Sequence, residues 1–64
     1  MAIFSDKEYM NRYDAGQEAV DRGHWRLAYD CFMDCKAYLE REQPWNTDEI
    51  EMLERLIERC NSMF

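Results

Sequence analysis

The sequence predicts an all-α fold, a three-helix array in which an antiparallel helix hairpin is followed by a capping helix. Three observations predict it. Apolar residues recur at three- and four-residue steps through three separate stretches, the period of a helix and not of a strand. Two of those stretches open on cap-like sequences, Ser5-Asp6-Lys7-Glu8 and Asn46-Thr47-Asp48-Glu49. Gly23 and Pro44 separate the stretches, and both residue types terminate helices.

The first helix is expected over about 5–22. Ser5 is placed to cap it, Glu8 completes a capping box, and Phe4 with Tyr9 forms a hydrophobic staple. Tyr9, Tyr13, Gly16, Ala19 and Val20 share one stripe, which ends at Gly23. The second helix, about 24–41, carries Trp25, Ala28, Phe32, Cys35 and Leu39 at steps of 3, 4, 3 and 4. Leu27, Cys31 and Tyr38 widen that stripe on one flank and Tyr29 on the other. A helix with so broad an apolar arc packs against two neighbours.

Pro44 cannot continue a helix and disfavours the α conformation in the residue before it, so Gln43-Pro44-Trp45 reads as a loop. The third helix is expected over about 46–63, with Asn46 and Glu49 as a second capping box and Trp45 with Ile50 as a second staple. Ile50, Leu53, Ile57, Cys60 and Phe64 form its stripe, while Glu51 and Arg55 stand on the solvated side.

A chain of 64 residues is read as one helical domain, 1–64. So short a domain buries a small share of its surface, and it is expected to lean on a second copy or a partner. With 47% hydrophobic and 14% aromatic residues it is too apolar for a disordered segment. A formal charge of −6 repels nucleic-acid phosphates and anionic lipid, so direct nucleic-acid and membrane binding are disfavoured. No basic-then-apolar leader opens the chain, and no run approaches the ~20 apolar residues of a membrane span, so a cytoplasmic protein is expected. Cys31, Cys35 and Cys60 are an odd number at spacings that fit no disulfide framework, which suits reduced thiols.

Those residues also test the chemistry. His24, Cys31 and Cys35 share a helical stripe, but His24 and Cys31 stand seven residues apart, ~10 Å along the axis at ~1.5 Å per residue. That is too far to share one ion; Cys31 and Cys35 could reach one together with Cys60 or a second chain, but the thiols read as core residues and no metal or other cofactor is expected. With one histidine, two glycines and no phosphate-binding loop, the chain is read as a non-enzyme. Asp48, Glu49, Glu51, Glu54 and Glu58 are placed to mimic a row of phosphates before a basic protein. The plainer reading is a solvated helix face, with Asp48 and Glu49 near the positive end of the helix dipole.

The first two helices resemble a single tetratricopeptide repeat (TPR). Gly16 falls on the family's small position in its first helix, Gly23 on its turn, and Trp25 on the aromatic that opens its second helix. Ala28 and Phe32 match the alanine and phenylalanine of that second helix, and Cys35 takes the next small position. The match covers about Tyr9 to Glu42 and departs at four places: Arg12 stands for tryptophan, Ala15 for leucine, Ala19 for tyrosine and Glu40 for proline. A lone repeat does not bury enough surface to stand alone, which makes the third helix a cap. The resemblance implies a partner-binding face at Met10, Tyr13, Gln17, Val20 and Asp21, with the third helix as the opposite wall. The alternative is that Tyr13 and Val20 are simply core.

Three short helices cannot bury two tryptophans, four tyrosines and three phenylalanines completely. Tyr29, Met33, Tyr38 and Trp45 are therefore expected at an interface on the flank of the second helix, between copies in a homodimer or with a partner. The function expected from the whole is a small protein–protein interaction module, an adaptor or inhibitor of a protein partner. A self-assembling structural subunit is the alternative, and an acidic nucleic-acid mimic a more remote one.

Overall fold

The computed structural model describes residues 5–64 and is a three-helix array: α1 (Asp6–Asp21), α2 (Trp25–Glu42) and α3 (Thr47–Asn61). α1 packs on α2 and α2 on α3, so the middle helix has two neighbours, as its broad apolar arc requires. No helix among the described residues is long and apolar enough to cross a membrane.

Local chemistry sets the helix ends. Ser5 is extended (φ −149°, ψ 162°) and its hydroxyl accepts from the Glu8 amide at 3.2 Å, which satisfies one of the unpaired first-turn donors. The staple expected beside it falls on Phe4, outside the described residues. At the other end of α1, Gly23 takes φ +75°, its N–H donates to the Val20 carbonyl, and the His24 N–H donates to that of Ala19. This pair of bonds is a Schellman motif, with glycine at the left-handed position that a Cβ disfavours.

The start of α3 differs from expectation. Asn46 makes no side-chain cap; its amide instead donates to the Gln43 side chain at 3.3 Å. Glu49, the expected partner in that box, accepts a hydrogen bond from Tyr9 on α1. Trp45 is 75% exposed, so it does not pack as a staple on Ile50.

The core is Ala19, Ala28, Phe32, Cys35, Tyr38, Leu39, Leu53 and Cys60, with Tyr9, Tyr13, Val20, Trp25, Ile50 and Ile57 packed round it. Packing is close at Gly16, where a Cβ would stand 2.7 Å from Cε1 of the Phe32 ring. Glycine there admits an aromatic edge between α1 and α2. Arg12 and Asp34 tie the same two helices at 2.9 Å.

Direction follows from which residues meet. Tyr9 lies against Tyr38, Tyr13 against Phe32 and Gly16 against Phe32, so α1 and α2 are antiparallel. Tyr9 reaches Glu49 and Tyr13 reaches Met52, partners 40 and 39 residues onward. That near-constant offset makes α1 and α3 parallel, side by side on α2.

Candidate functional site

Two parallel helices on a shared third leave a furrow between them. Its lining is Tyr9, Met10 and Tyr13 from α1, Glu49 and Met52 from α3, Leu39 beneath, and Gln43 and Asn46 at the end where α1 and α3 begin; its volume is about 360 Å³. Two side-chain bonds cross it, Tyr9 Oη–H to Glu49 Oε2 at 3.2 Å and a weak one from Tyr13 Oη–H to Met52 Sδ at 3.9 Å.

The two tyrosines of the α1 wall are held from behind. Tyr9 stacks on Tyr38 with ring centres 5.6 Å apart, and Tyr13 meets the Phe32 ring edge-on at 5.9 Å. The Gln17 amide donates to the Tyr13 hydroxyl at 3.2 Å. Burial, reinforced by the neighbouring Glu49 carboxylate, raises the Tyr9 phenol well above the ordinary tyrosine value, so it stays a protonated donor. Met10, by contrast, is 55% exposed on the rim.

Of the five partner-facing positions expected on α1, the furrow takes Met10 and Tyr13. Gln17 stands behind Tyr13 as its hydrogen-bond donor, and Val20 packs against the core. Asp21 is exposed in the last turn of α1, beyond the lining. Tyr13 packs its ring on Phe32 and also lines the furrow. Sequence reasoning named α3 as the far wall without its residues; Glu49, Met52, Leu39, Gln43 and Asn46 are brought in by the tertiary fold. Tyr9 carried a signal of its own, one turn before Tyr13 on the same stripe.

The four residues expected at an interface do not form one patch. Tyr38 is 5% exposed and is core. Its hydroxyl donates to Asp6 Oδ1 at 2.5 Å, and that bond, with burial behind it, pushes its pKa up to about 12. The expected surface role of Tyr38 is therefore corrected: Asp6 satisfies the phenol, so the ring can turn inward. Tyr29 and Met33 stand one turn apart on α2, where Tyr29 meets Phe64 edge-on at 5.5 Å. Trp45 sits beyond the opposite end of that helix.

The thiols are interior. Cys31, Cys35 and Cys60 are free and buried, and burial raises all three, Cys35 to about 12 with Cys31 adding to the effect. The Cys35 thiol donates to the Tyr9 carbonyl at 3.8 Å. Among the described residues no cluster of three or more His, Cys, Asp or Glu could hold a metal ion. Nor do the acidic residues of α3 form one free row, because Tyr9 holds Glu49 and Lys36 lies 3.9 Å from Glu54.

No family model, curated protein or solved structure matches the chain.

Proposed function

We propose that the chain is a non-enzymatic protein–protein interaction module that receives a segment of a protein partner in the furrow between α1 and α3. One observation carries the reading: two parallel helices, braced on a third, present Tyr9, Met10, Tyr13 and Met52 as the walls of a preformed, mostly apolar cleft. Aromatic and methionine side chains are enriched in the cores of protein interfaces, and methionine adapts to the shape of what it meets.

The TPR-like reading supports the same face. Such a repeat binds on the side formed by its first helix and the first helix of the next, the places held here by α1 and α3. In support of it, Gly16 and Phe32 come close between α1 and α2, and Ala28 is fully buried. The pitch is longer, with facing residues offset by 39 and 40 positions against a repeat of ~34. An α2 of 18 residues contributes to that length.

The test is capture with three baits. Met10 is exposed, so Met10→Glu changes the rim and leaves the core alone; Trp45→Ala changes an exposed residue outside the lining. A protein retained by the native chain and by Trp45→Ala, and lost from a still-helical Met10→Glu, supports the reading. Retention by Met10→Glu with loss from Trp45→Ala overturns it.

A second reading, self-assembly, rests on the exposed apolar residues elsewhere: Leu27 52%, Met33 40%, Trp45 75% and Phe64 56%. It requires a melting temperature that rises with protein concentration, and a flat response removes it.

A further inference from the structure

The furrow has a charge as well as a shape. Among the described residues Glu49 is the only charged one in its lining, which contains no lysine, arginine or histidine. Tyr9 uses Oε2 of that carboxylate, and Oε1 remains to receive a further donor. At the same end the Gln43 amide donates to Asp6 Oδ1 at 3.4 Å, which brings a second carboxylate beside the mouth. Two cations of the neighbouring helices pair outside the furrow: Arg12 with Asp34, and Lys36 beside Glu54 in the separate cleft between α2 and α3. Tyr9 and Tyr13 line the same furrow as the carboxylate, and a cation gains from the quadrupole of an aromatic ring it lies over. The chain as a whole carries −6.

From this we propose that the occupant of the furrow is a cationic segment of a protein, one that presents a lysine or arginine next to a large apolar side chain. The basic group docks on Glu49 against the Tyr9 and Tyr13 rings, and the apolar neighbour lies between Met10 and Met52. This rests on the furrow being the binding site and adds the chemistry of what enters it. Net negative charge speeds the encounter with such a segment, while Glu49 fixes its register.

The experiment is fluorescence anisotropy with two short fluorescein-labelled peptides, one of leucine and lysine and the other with glutamate at every lysine position. The chains tested are native, Glu49→Gln, Glu51→Gln and Met10→Glu. Glu51 is exposed and outside the lining, so its variant makes the same change in net charge away from the site. The native chain should bind the lysine peptide and not the glutamate one. Glu49→Gln, which keeps an acceptor for Tyr9, should weaken binding about tenfold, and Glu51→Gln by less than about twofold. Equal weakening by Glu49→Gln and Glu51→Gln overturns the inference in favour of the overall field alone. Equal binding of both peptides, lost from Met10→Glu, overturns the cationic preference and leaves the furrow as the site. Binding of the lysine peptide that neither Glu49→Gln nor Met10→Glu weakens removes the furrow itself.

Discussion

Replacing Gly16 by alanine is expected to destabilise the chain, although alanine is the better helix former. In an unobstructed helix the change gains ~1 kcal/mol, because glycine has more backbone freedom to lose. Here the added methyl would stand 2.7 Å from Cε1 and 2.9 Å from Cζ of Phe32, closer than carbon atoms approach one another. The ring has little room to yield. Phe32 is fully buried and its edge is set against Tyr13. Overpacking of this kind costs ~1–3 kcal/mol, so the net effect is a loss of about 1 kcal/mol. For a domain this small that lowers the melting temperature by roughly 4–8 °C. Thermal melts followed by circular dichroism measure it directly. A double-mutant cycle with Phe32→Leu isolates the cause, since a shorter side chain opposite should recover ~1 kcal/mol of the loss. A melting temperature that rises in Gly16→Ala would refute the close-approach argument and leave helix propensity as the whole story.

The remaining predictions concern the turn and the buried protons. Gly23→Ala meets no neighbouring atom, so its cost is that of a left-handed backbone alone, ~1 kcal/mol, seen as a lower urea midpoint at unchanged slope; an unchanged midpoint counts against the Schellman turn. The three cysteines should resist a thiol reagent near neutral pH and react together only as the chain opens, and immediate modification of the folded protein would show that they are not interior. Alkali should unfold the chain early. Tyr9, Tyr38 and Cys35 all have their pKa raised on folding, so the folded state holds protons that the unfolded state releases. Their contribution is complete below the ordinary values of 9.0 and 10.0 and is lost as pH climbs towards about 12. Urea melts at rising pH check this, and a midpoint that holds constant through that window refutes it.

The parts of the fold that were legible in the sequence are those written in short-range pattern. The three stripes, the stop at Gly23 and the break at Pro44 each depend on residues within a few positions of one another. The crowding at Gly16 was legible as a need for smallness, but the atom that imposes it, the edge of the Phe32 ring, was not. Two misreadings share a cause. Asn46 with Glu49 has the spacing of a capping box, yet the Glu49 carboxylate goes to a tyrosine 40 residues away. Tyr38 looked like surplus aromatic surface, yet its hydroxyl finds Asp6, 32 residues away, and the ring goes inward. In both, a long-range hydrogen bond decides the fate of a side chain whose neighbours in sequence suggest another. The same holds for the furrow: its α1 wall could be placed from periodicity, whereas α3 residues join it only because the chain doubles back twice.

Because α1 and α3 meet chiefly through Tyr9–Glu49 and Tyr13–Met52, and each is otherwise seated on α2, the three helices are not equally hard to open. Parting the outer pair sacrifices two side-chain bonds; lifting either one from the middle helix breaks into the core. Amide exchange should therefore be slowest in the centre of α2 and faster in the flanking helices. The cleft is therefore expected to widen by breathing of its walls, while the keel stays closed, far more often than the whole chain unfolds.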